Sequence, residues 1–178
     1  MRILGVDPGL RVTGYAVIRV PKPEDLELVE AGVIRTPGPS TGIAPRLQKV
    51  HEELDDVIEE HKPDVLVIEK LYAHYKHPAT AILMGHVRGV VCLLSGTPGV
   101  PLFSIAATHV KKSVTGRGHA SKEQVQRMIQ HKLGLKAMPE PYDVADALAI
   151  ALAYAFNHKN GTALPVAHRT GEPRKVAV

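Results

Sequence analysis

Cysteine is almost absent from this 178-residue chain. The single residue, Cys92, excludes an intrachain disulfide and fits a reducing compartment. It lies in the run Val90-Val91-Cys92-Leu93-Leu94 and reads as a small buried apolar residue, because a catalytic thiol needs an electropositive, polar setting. Uninterrupted apolar runs are short as well. The longest stretch, Ala79 to Leu94, is broken by His86 and Arg88 and is expected to fall short of a membrane span. The opening Met1-Arg2-Ile3-Leu4-Gly5-Val6-Asp7 becomes charged too early for a signal peptide. A soluble, cytoplasmic protein is therefore expected. Internal repeats and low-complexity blocks are also missing.

What is present suits one globular domain. Hydrophobic residues make up 44% and charged residues 22%, and the length allows a substantial core without disulfides or a structural metal. The net charge of +4 and pI near 9.2 favour a polyanionic partner but do not by themselves select one.

Ile3 to Val6 is an apolar run ended by Asp7-Pro8-Gly9, which predicts a buried strand and a turn. Thr13 to Val20 and Leu26 to Thr36 predict two further strands, and the spacing of the three suggests an antiparallel meander. From Pro45 to His61 the period changes: Leu47, Val50, Leu54, Val57 and Ile58 recur at helical spacing, and Lys62-Pro63-Asp64 ends the helix. Val65 to Ile68 is uniformly apolar, as in a central strand covered on both faces, and Glu69 follows. A helix over Pro78 to Ser95, a strand over Val100 to Ile105 and a short helix around His109 to Val114 come next. Gly116-Arg117-Gly118 reads as a flexible link. Ser121-Lys122-Glu123-Gln124 is a capping box opening a helix to about Leu133. Tyr142-Asp143 opens the last helix, which carries no charge from Ala147 to Phe156 and must be buried nearly all round. Residues 159–178 are expected to form a flexible basic tail after a domain over 1–158. The order predicts an α/β, ribonuclease-H-like fold: a mixed five-stranded sheet with helices on both faces.

Four acids stand where acids are costly. Asp7 and Glu69 end strands expected to be central, at the carboxyl edge where open α/β sheets bind ligands. Asp143 and Asp146 share one face at the start of the apolar helix. Taken singly, Asp7 is equally well read as capping the Pro8-Gly9 turn, and Asp143 and Asp146 as first-turn acids favoured by the helix dipole. Taken together, four hard oxygen ligands favour Mg²⁺ or Mn²⁺, and two such ions would suit phosphodiester hydrolysis.

The opening Ile3-Leu4-Gly5-Val6-Asp7-Pro8-Gly9 with Arg11-Val12-Thr13-Gly14-Tyr15, then Glu69, then Asp143-Val144-Ala145-Asp146-Ala147-Leu148-Ala149-Ile150, resembles the RuvC family of Holliday junction resolvases over roughly residues 1 to 158. The resemblance implies a homodimeric endonuclease of DNA recombination and repair. Such an enzyme nicks opposed strands of a four-way junction symmetrically, works with a branch-migration helicase complex, and uses Asp7, Glu69, Asp143 and Asp146 as catalytic metal ligands.

Lys111 and Lys122 flank the Gly116-Arg117-Gly118 link and can reach phosphate oxygens, and one of them, Lys122 in the catalytic set, can offset charge in the transition state. The resemblance implies a lysine at each of these two positions; Arg117 is a further DNA-binding candidate and Lys112 stays ambiguous. Tyr72, where the resemblance implies an aromatic three residues after the glutamate, can stack on an unpaired base. The stretch after Tyr72 departs from the family pattern. His74 and His77 have the spacing of a metal pair but no third ligand for zinc. Gly85 and Gly89 are one helical turn apart; they allow either close packing on the protein's own sheet or, as the resemblance implies, a dimer interface.

Three other readings are open. A ribonuclease-H-like nuclease acting on RNA would use the same acids but has less need of the loop aromatic and twin lysines. A nucleotide-binding ATPase domain would share the Asp7-Pro8-Gly9 turn but needs two such domains. A junction-binding protein that does not cut has no need to retain all four acids.

Overall fold

β1 (Arg2–Asp7), β2 (Val12–Arg19) and β3 (Glu27–Arg35) form the antiparallel meander expected of three β-rich runs joined by short turns. The computed structural model describes residues 1–22, 24–71, 78–159, 161 and 166–168. α1 (Ile43–His61) leads to β4 (Val65–Glu69), parallel to β1, and α2 (Pro78–Gly96) leads to β5 (Leu102–Ile105), parallel to β4. α3 (Ala107–Thr115), α4 (Lys122–Leu133) and α5 (Tyr142–Lys159) follow. The five strands expected from the sequence build the sheet. A sixth, β6 (Val166–His168), comes from the segment assigned to the tail and pairs antiparallel with β5. The order is β3-β2-β1-β4-β5-β6, a mixed sheet of the ribonuclease-H-like kind.

Local chemistry sets the element ends. Lys62, in the left-handed region at φ 44°, caps α1 by donating its N–H to the Ile58 carbonyl, and Pro63 prevents continuation. The Ser121 Oγ accepts from Gln124 N at 3.2 Å while the Gln124 Oε1 accepts from Ser121 N at 2.9 Å, completing the capping box of α4. The Gly116-Arg117-Gly118 link is a defined turn: Gly116 caps α3 at φ 77°, and the Thr115 hydroxyl bonds Lys111 O and Arg117 O while accepting from Arg117 N. The threonine hydroxyl thus satisfies backbone groups on both sides of the glycine.

Alternation along the strands sorts the core into two layers. Ile3, Ala16, Ile18, Val65 and Val67 pack with α3, α4 and α5. Leu4, Val6, Val17, Leu66 and Ile68 pack with α1 and α2. Each fully buried Leu or Ile contributes roughly 1.5–3 kcal/mol of transfer free energy. α5 buries twelve of its eighteen residues, as the uncharged run required.

α2 differs from expectation. His86 and Arg88 do not disqualify it: Ala79–Gly96 has a mean hydropathy of 1.5 over 18 residues, enough in length and composition to cross a membrane, yet only 22% of that window is buried inside the domain. Val87, Val91 and Leu94 face the sheet, while Ile82, Leu83 and Leu93 are 61%, 40% and 59% exposed. Cys92, expected to be buried, is only half-buried, because its position on α2 turns it toward the edge of the packed face.

Candidate active site

The strand register brings the first two acids together. β1 and β4 pair in parallel as far as Val6 with Ile68, so Asp7 and Glu69 are the next residues on neighbouring strands. Ile3 and Val65 face α5, and counting by twos puts Asp7 and Glu69 on that same side. α5 supplies Asp143 and Asp146 from its first turns. Two glycines let it lie close: a Cβ on Gly14 would overlap the Asp143 carbonyl, and one on Gly5 would overlap the Ala147 carbonyl and meet Ala151 N at 2.8 Å. The small residues of α5 and the bare backbone of β1 and β2 thus press the acid-bearing end of the helix onto the strand ends.

The turn after Asp7 is tied down. The Thr13 hydroxyl, fully buried, donates to Gly9 O at 2.8 Å and accepts from Gly9 N at 3.4 Å. Leu10 O accepts from the Thr36 hydroxyl at 2.5 Å and from Arg46 Nη2 at 3.0 Å. Arg46 is itself buried, and its Nε also reaches the Thr36 hydroxyl.

Electrostatics mark this end of the sheet. Burial, followed by the charges of Asp146, Glu69 and Asp143, pushes the Asp7 carboxyl up to about 7, and Lys122 only partly opposes this. Burial and the Asp146 charge also raise Glu69, against Lys111 and Lys122. Lys122 Nζ lies 3.3 Å from Asp146 Oδ2 and 5.3 Å from the centroid of the Tyr142 ring. Although ten uncharged residues follow it, the Asp146 side chain is 36% exposed, because it lies at the helix start, beside the solvated Lys122.

Asp7 and Glu69, with Pro8, Lys70, Leu71, Met84, Arg88 and Ala107, line an open cleft of about 330 Å³. The donor chemistry there fits a hard divalent cation. Carboxylates crowd a partly desolvated spot, their charge is only partly offset by lysines, and oxygen donors suit Mg²⁺ or Mn²⁺.

The structure therefore places all four acids and both lysines at one end of the sheet. Arg117 is exposed and points elsewhere, lining a groove against α4 with Gln124, Arg127 and His131. Tyr72, His74 and His77 lie outside the described residues. Sequence reasoning missed Gly5, Arg46 and Arg88. Arg88 had a signal, a charge inside an apolar run; its Nη1 donates to Glu69 O and its Nη2 to Ser104 Oγ, both at 2.7 Å. Arg46 had none, since it looks like any charge on an amphipathic helix.

The only carboxylate and histidine set with ligand atoms within 4.8 Å of one another among the described residues is Glu30, Glu60 and His61, on the opposite face of the sheet.

A family model described as crossover junction endodeoxyribonuclease RuvC matches residues 3–154. A Rhodopirellula baltica protein named crossover junction endodeoxyribonuclease RuvC is 49% identical over 150 residues, covering 84% of this chain and 83% of the relative. A protein of the same name from Pelotomaculum thermopropionicum is 40% identical over 158 residues, covering 89% and 94%. The solved structure of T. thermophilus RuvC in complex with Holliday junction substrate superposes with a TM-score of 0.86 at 31% identity, covering 93% of this chain and 99% of that one. The yeast mitochondrial Holliday junction resolvase, at 14% identity and a TM-score of 0.59, shares the fold. The chain belongs to the crossover junction endodeoxyribonuclease RuvC family.

Proposed function

We propose that this chain is a structure-selective endonuclease that resolves four-way DNA junctions by paired, symmetric nicks in recombination and repair, working in the cytoplasm beside a branch-migration helicase complex. The observation that carries the reading is the convergence of Asp7, Glu69, Asp143 and Asp146 from β1, β4 and α5 on one edge, with Asp7 raised to about 7 by burial and by the other three.

In this reading the four carboxylates hold two divalent ions, Mg²⁺ or Mn²⁺. When bound, such ions supply charge stabilisation to the attacking and leaving oxygens of a phosphodiester. Lys122, 3.3 Å from Asp146, holds that carboxylate and keeps a positive charge at the edge where phosphate oxygens would lie. Lys111 acts from α3, which a polar network fixes to α5: His109 Nε2 meets Asn157 Oδ1 at 3.1 Å, and Asn157 Nδ2 donates to Ser113 Oγ at 3.0 Å. Arg117 contacts DNA further out, and Tyr72 stacks on an unpaired base.

A two-fold dimer gives two equivalent sites for two equivalent strands. α2 is the proposed interface. Its Ile82, Leu83 and Leu93 are exposed, and a Cβ on Gly85 or Gly89 would meet nothing within 4 Å, so these glycines do not serve packing on the protein's own sheet.

The test is cleavage of an end-labelled synthetic four-way junction against linear duplex, with Mg²⁺, with Mn²⁺ and with chelator. Symmetric nicks on the junction alone, abolished by chelator, are expected. Binding without cutting in either metal would overturn the reading, as would preferential cutting of RNA.

A further inference from the structure

α2 carries one cation on its inner side, and that cation is bonded to the end of a strand rather than to an acid. The Arg88 guanidinium donates from Nη1 to the backbone carbonyl of Glu69 and from Nη2 to the buried Ser104 hydroxyl, each at 2.7 Å. β1 and β4 stop pairing at Val6 with Ile68, so Glu69, still in register with Ile105 of β5, lies one residue past the β1 ladder, and its carbonyl accepts from Arg88. Ser104 belongs to β5, and Lys70 N donates to Ile105 O at 2.8 Å. Arg88 therefore spans the ends of β4 and β5 from a third element.

We propose that Arg88 is a positioning residue for Glu69: it fixes the backbone at the strand end, and with it the direction in which the Glu69 carboxylate enters the cleft. This rests on the nuclease reading given above. The charges that act on the Glu69 carboxyl are those of Asp146, Lys111 and Lys122. Arg88 works through the carbonyl, by geometry. The planar fork of a guanidinium spans two acceptors on different strands, which the single ammonium of lysine cannot do with the same geometry. Arg88 also sits on the helix whose other side exposes Ile82, Leu83 and Leu93. Whatever seats α2 thereby seats Glu69.

Three variants test this: Arg88→Met, Arg88→Lys and Ser104→Ala. Junction affinity is measured in chelator, the Mn²⁺ concentration giving half of the metal-induced rise in melting temperature is measured without DNA, and cleavage is measured in single turnover. Arg88→Met is expected to bind junctions like the wild type, to need roughly 10–100-fold more Mn²⁺ and to cut more slowly by a similar factor, the range found when an outer partner of a metal ligand is removed. Arg88→Lys should recover part of both, and Ser104→Ala should lose less than Arg88→Met because the bond to Glu69 remains. An unchanged Mn²⁺ dependence in Arg88→Met would overturn the proposal, as would junction affinity falling in step with cleavage, which would make Arg88 a DNA contact. If Arg88→Met does not fold, Ser104→Ala decides, and wild-type behaviour there overturns the proposal. A wild type that takes up Mn²⁺ but cuts no junction refutes the nuclease reading alone, because the shift in Mn²⁺ midpoint is read without DNA.

Discussion

On the α1 side of the sheet, Glu30 accepts a hydrogen bond from the Tyr15 hydroxyl at 2.6 Å and lies 2.6 Å from His61 Nε2, with Glu60 close by. On the α5 side, Asp7 and Glu69 meet Asp143 and Asp146. The first group is the tighter, yet its partners hold the Glu30 carboxyl below its ordinary range, the hydrogen bond from Tyr15 first and that from His61 second. In the second group Lys122 reaches Asp146 at 3.3 Å but only partly opposes the charge gathered around Asp7, which rises to about 7. Proximity of acids does not mark a ligand site. What marks it is negative charge that the fold gathers and leaves uncompensated, so that an added cation is favoured. In the first group both oxygens of the Glu30 carboxylate already have protein partners, Tyr15 and His61.

The largest expected effect comes from removing an acid on the α5 side. Asp7→Asn, Glu69→Gln or Asp146→Asn should lower single-turnover cleavage by roughly 10³-fold, the upper range for losing a group that stabilises transition-state charge. Junction binding in chelator should survive, because phosphate contacts use other groups. Cutting at the wild-type rate by any of the three would break the contrast between the two faces.

The same Asp7→Asn change sharpens the comparison through stability. An acid raised in the folded state favours folding most below its unfolded value and opposes folding increasingly as pH climbs to its folded value. For Asp7 that window runs from the ordinary 3.8 to about 7, with a ceiling of about 4 kcal/mol. Metal-free Asp7→Asn should therefore melt higher than the wild type above neutrality, and the gain should vanish well below pH 5. Mn²⁺ should in turn raise the melting temperature of the wild type far more above neutrality than in acid. A gain of the same size at both ends of the range would show that Asp7 carries no uncompensated charge.

The close approach of α5 comes next. Gly14→Ala places a Cβ against the Asp143 carbonyl, and the helix must move. Overpacking of this kind costs typically 1–3 kcal/mol. The urea midpoint should fall accordingly, and cleavage should fall with it because Asp143 is displaced. An alanine at Gly38, where φ is -61° and a Cβ meets nothing within 4 Å, serves as the control for glycine loss itself.

Much of this was readable in the sequence, for identifiable reasons. Period and punctuation placed the five longer strands and all five helices, because Val65 to Ile68 or Ala147 to Phe156 admits only one kind of burial. The four acids showed themselves at the bounds of apolar runs: Asp7 and Glu69 end two strands, and Asp143 and Asp146 open the apolar helix. What could not be read is what depends on register and on approach between distant segments. That Asp7 and Glu69 are neighbours follows from the pairing of β1 with β4, and that α5 reaches them follows from Gly5 and Gly14 being bare on the correct side. Arg88 looked like an interruption of an apolar helix, and only the tertiary fold gives it Glu69 and Ser104 as acceptors. β6 was not foreseen because three residues give no periodicity to read.

The smallest effect is expected where the charge is already balanced. Glu30 accepts from Tyr15 and pairs with His61, yet its side chain is 36% exposed, so solvent screens much of the interaction. Glu30→Gln keeps the shape and one acceptor. It should cost about 0.5–1.5 kcal/mol near neutrality, the net value of a hydrogen bond. An acid lowered in the folded state stabilises above its unfolded value and loses that contribution as pH falls through its folded value. The deficit of Glu30→Gln should therefore shrink below the ordinary carboxyl range, opposite in direction to the change at Asp7. Cleavage should be untouched, because the group faces α1 and shares no partner with the four acids. Urea unfolding of both proteins across this pH range, with cleavage measured in parallel, checks each part. A loss of cleavage without a loss of stability would mean that the two faces of the sheet are coupled, and that uncompensated charge on one side is set partly by the balanced charge on the other.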